Sequence, residues 1–270
     1  LGVRGCTALM VAAFGLQNSI NTMLKRQFTD SDSIVSYDMQ VVLNGSYDTL
    51  VAAPDAQKTV AERAEVAVST LNYMKVTNTG STNSSKRFET YIMVPENADM
   101  LPNYIRLRDT STGGVLSLPQ NGAVITKKLA ESLGLSAGDS INVFVSDSYV
   151  VQVPIAAVAE NYVFHYVFMT KEVYTALFGA NPGYNYIMAK FKSPLSGTQK
   201  EQLSKDLMSE YDITAVSYAE EAQQTFEHIL NSLGYVVIIL VVSAGLLSFI
   251  VLYNLSSINI NERIKEIATI

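Results

Sequence analysis

From Lys25 to His228 apolar and polar residues alternate in short runs; from Ile229 to Asn261 the alternation stops and no Asp, Glu, Lys, Arg or His occurs. Within that run Leu233–Tyr253 is 21 residues long. As a helix it extends roughly 30 Å, the thickness of a bilayer's hydrocarbon core. Its polar members are small (Ser243, Ser248) or aromatic near the ends (Tyr235, Tyr253), where interfacial belts form. Ala244 and Gly245 let a neighbouring helix come close. The competing reading is a buried core helix, but core helices of this length usually carry a charged face. The pattern therefore predicts a membrane span.

After the span the period returns to that of a helix. Ile260, Ile264 and Ile267 fall on one face, with Glu262, Arg263, Lys265 and Glu266 around the other. Such a short amphipathic helix suits a partner's groove or the lipid interface. Arg263 and Lys265 follow the span, whereas Glu220, Glu221 and Glu227 precede it with no Lys or Arg after Lys205. The positive-inside rule then places the C-terminal end in the cytoplasm and residues 29–218 outside the cell.

The N-terminal stretch Gly5–Leu16 is also apolar, and no charge lies between Arg4 and Lys25. A signal peptide is one reading. The preferred one is the outer half of a first membrane helix that begins before Leu1 and emerges as a stalk through Phe14, Ile20, Leu24 and Phe28. The expected organisation is a first membrane helix and stalk over 1–28, an extracytoplasmic domain over 29–218, a stalk and second membrane helix over 219–256, and a cytoplasmic coupling turn over 257–270.

Between the ends the pattern predicts an α+β domain, mixed and mostly antiparallel, flanked by two membrane helices. Strands are expected over 33–43, 71–79, 86–94, 103–109, 123–125, 140–145, 149–160, around 165–168, 184–192 and 213–218. Helices are expected over 53–70, with Val60, Ala64 and Ala67 on one face, and after Thr126, Thr170 and Ser196. A further helix starts at Ala219 and runs into the span. Gly134 fits a helix C-cap, Asp147-Ser148 a hairpin turn, and "GSTNSS" from Gly80 a solvated turn.

Charge narrows the functions. Residues 25–228 carry 16 Lys+Arg against 23 Asp+Glu, and the whole chain has net charge −6. An acidic domain is a poor partner for nucleic acid. Two His and one Cys exclude a Cys/His zinc cluster and an internal disulfide. No P-loop, G-x-S-x-G or H-E-x-x-H occurs, and no S-x-x-K in a catalytic context. The sequence thus names no enzyme and no cofactor. His165 reads as a partly buried ring among aromatics and His228 as an interfacial residue. The aromatic stretch from Tyr162 to Tyr186 reads either as packing or as a surface for a partner or substrate, with Tyr162, Phe164, Tyr166 and Tyr184 as its candidates.

Three stretches carry a family resemblance: "VITKKLAESLGLSAGDSINV", "FMTKEVYTALFG…YNYIMAKF" and "VLYNLSSININERIKEIATI". With "GCTALMVAAFGLQNSI" at the start, they resemble the FtsX/MacB-like permease subunits of ABC transporters over essentially the whole chain. The resemblance implies a MacB-like periplasmic core domain between the first two membrane helices and a permease without its own nucleotide site. ATP would be bound by a separate cytoplasmic ABC ATPase docking on Glu262, Arg263, Ile264, Glu266 and Ile267. A second permease copy or half, membrane lipid, and an extracellular protein, peptide or lipid are the other implied partners. Family members have further membrane helices, so the chain is expected to be a fragment. The rival reading is a membrane-anchored sensor or binding module; a membrane-bound hydrolase ranks third, lacking a catalytic set.

Overall fold

The computed structural model describes residues 2–45, 53–80 and 87–267. It divides into two units: residues 25–222, and residues 1–24 with 223–270.

In the first unit, nine strands alternate with short helices. The elements are β1 (Met39–Leu43), α2 (Ala53–Ala61), β2 (Ala64–Asn78), β3 (Phe88–Pro95), β4 (Ala123–Thr126), α3 (Lys127–Leu133), β5 (Ser140–Phe144), β6 (Val150–Ala159), β7 (Tyr166–Phe168), α4 (Lys171–Phe178), β8 (Tyr186–Phe191), α5 (Gly197–Glu210) and β9 (Ile213–Tyr218). The fold class is the expected one, α+β with a mostly antiparallel sheet; only β3–β7 and β4–β6 pair in parallel among the described strands.

The strand order resolves the sheet into two bodies that share β2. Strands β9, β1, β8 and β2 lie side by side, each pair antiparallel. With α2 between β1 and β2 and α5 between β8 and β9, this is the βαββαβ arrangement of ferredoxin-like folds. Its core is Met39, Val41, Ile187 and Ala189 from the sheet against Val60 of α2 and Leu203 and Leu207 of α5. The second half of β2 turns away to pair with β3 and β5, and the ring β2–β3–β7–β4–β6–β5 closes on itself. Alternate residues of these strands point inward: Val76, Ile92, Val94, Ile125, Ile141, Val143, Val151, Val153, Ile155 and Val167. Closing the ring removes the sheet edges that short strands would otherwise expose. A third apolar cluster, including Met93, Tyr104, Leu107, Val124, Phe168 and Met188, lies under the segment that links β3 to β4.

Local chemistry explains most boundaries. Gly134 has φ 65° and its amide reaches the carbonyls of Ala130 and Glu131, closing α3 as expected. The Thr170 hydroxyl accepts from the Val173 amide at 3.3 Å and starts α4. Ser196 and Gln199 form a reciprocal capping box at α5. Thr126 occupies the cap position of α3 but makes no side-chain cap; its hydroxyl accepts the Tyr166 amide of β7 at 3.2 Å.

Three expectations are corrected. The helix expected over 53–70 ends at Ala61, and its second half is the start of β2, which continues through the strand expected at 71–79. "AEVAVST" holds good helix formers, but the segment pairs with β8, and where β8 pairing ends at Ser69 it begins to pair with β3. Tertiary pairing overrides its propensity. The strand expected over 33–43 starts only at Met39, and 103–109 forms isolated bridges, Val35 to Ile105, Arg108 to Val115 and Asp109 to Ala159. The turn expected from Gly80 lies, from residue 81, outside the described residues.

In the second unit, α1 spans Gly2–Leu24 and α6 runs unbroken from Ala219, whose first turn still belongs to the first unit, to Ile267, 49 residues in all. At 1.5 Å per residue that is roughly 70 Å, more than a bilayer. Among the described residues α6 alone is long and apolar enough to cross one, through Ala219–Ile260. Only 6% of its most apolar window is buried within the described residues. A Cβ added at Gly234 would stand 3.4 Å from Gln17 Nε2, so α6 passes close to α1 there.

Candidate functional site: an aromatic groove and the points where the helices join the domain

The outer face of the ring carries a run of aromatic side chains. Tyr73 of β2 and Tyr91 of β3 are paired in register, and so are Tyr91 and Tyr166 of β7. Their ring centres lie 5.4 Å and 5.6 Å apart, the first pair edge-on. Phe164, in the loop before β7, meets Tyr91 edge-on at 5.8 Å, and Phe168 stacks on Tyr166 at 5.4 Å. These separations suit favourable aromatic pairs, each contributing roughly 0.5–1.5 kcal/mol beyond area burial. A groove of about 740 Å³ opens beside them, lined by Tyr73, Lys75, Arg87, Phe88, Glu89, Tyr91, Phe164 and His165.

The groove's electrostatics are local. Arg87 pairs with Asp147 at 2.9 Å and lies over the Phe144 ring, 4.1 Å from its centre. A hydrogen bond with Glu89 raises the Tyr73 phenol to about 12. Burial lowers the His165 pKa below the ordinary imidazole value, and Lys128 adds to this. Burial also raises the Tyr166 phenol. His165 Nδ1 has no hydrogen-bond partner among the described residues. Among the described residues no group of three or more His, Cys, Asp or Glu could hold a metal ion.

Phe164 is the only described non-glycine residue with a positive φ, at 59°, and it is 64% exposed. Holding a bulky residue there costs on the order of 1–3 kcal/mol. Asn161 holds it: its side-chain amide donates to the carbonyls of Val163 and of Phe164, the latter at 3.3 Å.

The same loop receives the N-terminal stalk. Lys25–Thr29 forms a single π-helical turn whose Gln27 is buried. Gln27 Nε2 donates to Asn161 Oδ1 at 3.0 Å, and Gln27 Oε1 accepts the Tyr162 amide at 3.0 Å. Arg26 donates to the Tyr162 hydroxyl at 3.3 Å and lies 3.7 Å from Glu160. The Tyr162 hydroxyl donates to Glu160 at 3.2 Å. The hydrogen bond with Tyr162 and the charge of Glu160 raise the Arg26 pKa.

The C-terminal helix leaves from the sheet edge without a linker: β9 ends at Tyr218 and α6 starts at Ala219. The Ala219 amide donates to the Asp38 carbonyl at 2.9 Å, and the Asp38 carboxylate accepts the Phe191 amide at 2.7 Å. The Tyr218 hydroxyl reaches the Lys200 carbonyl at 2.8 Å, and Lys200 pairs with Glu220 in the first turn of α6.

The four aromatic candidates therefore separate. Phe164 and Tyr166 meet at Tyr91; Tyr162 is half-buried and belongs to the stalk contact; Tyr184 is buried at 4% exposure, with Lys171 5.9 Å from its ring centre. Tyr184 lies in the core because it leads into β8, between β2 and β1. Sequence reading misses Tyr73 and Tyr91. The signal lies in one tyrosine on each strand of a hairpin, but register decides whether they face. Of the coupling candidates, Arg263 and Ile264 are exposed on α6, which continues through the expected turn; the side chains of Glu262, Glu266 and Ile267 lie outside what the structure describes.

No curated protein matches the chain. Among solved structures, the periplasmic region of MacB from Actinobacillus actinomycetemcomitans aligns at 11% identity and TM-score 0.41, covering 73% of this chain and 96% of that one. The extracellular domain of the noncanonic ABC-type transporter YknZ from Gram-positive bacteria aligns at 13% identity and TM-score 0.39, covering 67% and 98%. The model of the MacB-like periplasmic core domain matches residues 1–208, more than half of the chain. By that match the chain belongs to the MacB-like periplasmic core domain family, the extracytoplasmic domain of MacB-like ABC transporter permeases.

Proposed function

We propose that this chain is the part of an ABC transporter permease that turns helix movement into movement of an extracytoplasmic domain, driven by a separate cytoplasmic ATPase. The carrying observation is that the domain residues next to both helices are bonded into the domain. The stalk side chain Gln27 is buried and doubly bonded into the domain, and β9 passes into α6 with no intervening residue. Motion of either helix would then reach residues that are bonded into the domain. In this reading α6 crosses the membrane, α1 is the outer part of a first membrane helix, residues 25–222 stand outside, and Arg263 and Lys265 mark the cytoplasmic end. Nucleotide binds the partner subunit, and export, extraction of a substrate or signalling would each use the same motion.

The coupling end, where Arg263 and Ile264 are exposed, is where an ATPase would dock. The test is co-purification from native membranes, comparing the natural protein with Glu262→Ala/Arg263→Ala/Glu266→Ala. An ABC ATPase captured by the natural protein and lost from the triple variant at equal expression supports the reading. No ATPase with the natural protein, under conditions that preserve complexes, favours a membrane-anchored binding module instead. The aromatic groove is the feature that speaks for that second reading.

A further inference from the structure

Asn161 faces two ways. Its carbonyl oxygen accepts from Gln27 of the stalk at 3.0 Å, and its amide nitrogen donates to the backbone carbonyls of Val163 and Phe164. Gln27 and Asn161 are both shielded from water, at 3% and 7% exposure. The Phe164 ring in turn forms one lip of the aromatic groove against Tyr91. A left-handed phenylalanine persists only while its surroundings hold it there. Here the holder is a side chain whose remaining hydrogen-bonding capacity is committed to the stalk.

We infer that Gln27, Asn161 and Phe164 form a relay by which displacement of the stalk releases the Phe164 lip and changes the opening of the groove. With Gln27 in place, Asn161 presents its amide nitrogen to the loop carbonyls and Phe164 lies over Tyr91. When the stalk shifts, Asn161 loses the donor that fixes its orientation. Its amide can then rotate, the loop carbonyls lose their donor, and Phe164 relaxes to negative φ, away from Tyr91. The inference rests on the proposed movement of the stalk and adds which surface answers it.

The chain has no tryptophan, so Phe164→Trp introduces a single fluorescent reporter at the lip. Tyr149→Trp, on the β5–β6 hairpin outside the loop that carries Phe164, is the control. Each reporter is combined with Gln27→Ala and with the nearly isosteric Gln27→Glu, in the whole chain in detergent. Glutamate still accepts the Tyr162 amide but offers Asn161 no donor, so the Asn161 amide turns toward it and leaves the loop. The expected result is that both substitutions shift the emission of the lip reporter to longer wavelength and raise its quenching by acrylamide, with the hairpin reporter unchanged. A lip signal unmoved by Gln27→Glu overturns the relay, and so does an equal change at both reporters, which indicates general loosening. ATPase capture plays no part in this measurement, so the relay and the coupling reading fail separately.

Discussion

Gln27 and Asn161, 134 positions apart in sequence, are joined by a buried hydrogen bond of 3.0 Å, and through it the stalk grips the loop between β6 and β7. Neither amide has water to fall back on, so each depends on the other.

Replacing Gln27 by alanine should therefore cost more than the bond itself. It strands the Asn161 carbonyl and the Tyr162 amide, and an unsatisfied buried group costs roughly 1–3 kcal/mol. Denaturant unfolding of the purified protein, followed by tyrosine near-UV circular dichroism, should show a lower midpoint. Arg26→Ala removes a contact that is half exposed on the arginine side and should cost under about 1 kcal/mol. Equal losses in the two variants would contradict the role assigned to Gln27.

Gly122 precedes β4, and a Cβ there would stand 2.6 Å from the Pro154 carbonyl oxygen and 3.2 Å from its carbon. Both are backbone atoms of β6, which pairs in parallel with β4, so neither can swing aside. Gly122→Ala should destabilise by about 1–3 kcal/mol, the usual effect of overpacking. Gly114→Ala, whose Cβ would meet only the Thr112 hydroxyl at 3.4 Å, is the comparison. If both variants unfold at the same denaturant concentration, the close approach of β4 to β6 is wrong.

How far the sequence reveals this architecture depends on whether the deciding interaction is local. Gly134, Thr170 and the Ser196–Gln199 box act within a few residues, and the helix ends they mark are readable. The apolar run of α6 needs no tertiary information either. The segment from Ala64 reads wrongly as helix because its partners, β3 and β8, lie about 25 and 120 residues away, and Ala, Glu and Val alone do not distinguish helix from strand. The aromatic groove is half legible for the same reason. Phe164 and Tyr166 stand out in a dense aromatic stretch, whereas Tyr73 and Tyr91 join them only through hairpin register. Gln27 gives no signal at all, since a glutamine beside a charged pair reads as solvent-facing until Asn161 arrives.

His165 should make the fold sensitive to mild acid. Burial and Lys128 depress its folded pKa below the ordinary value of 6.5, so the folded state prefers the neutral ring. A depressed pKa contributes stability that is complete above the unfolded value and is lost as pH falls from there through the folded value. The carboxylates with lowered pKa, Asp109 and Glu201, act only further into acid. Melting temperature should thus decline as pH is lowered from about 7 toward about 5, the range in which an imidazole takes up its proton. His165→Gln should flatten that part of the curve. An unchanged slope in the variant would remove His165 as the cause.

At the other junction, Asp38 bonds with three groups: its amide reaches the Ala189 carbonyl, its carbonyl accepts the first amide of α6, and its carboxylate accepts the Phe191 amide. The side chain thus ties β8 to the residue whose carbonyl accepts the first amide of α6. Asp38→Ala removes a partly exposed hydrogen bond from the Phe191 amide and should cost about 0.5–1.5 kcal/mol. Asp38→Asn keeps an acceptor in the same place and should recover most of that loss. Hydrogen exchange separates the local effect from a global one. Protection should fall at Phe191 and Ala219 in the alanine variant, and persist at Val153 in the core of the ring. Were Ala219 to keep its protection when the Asp38 side chain is removed, the first turn of α6 would be held by its continuity with β9 rather than by this bracket.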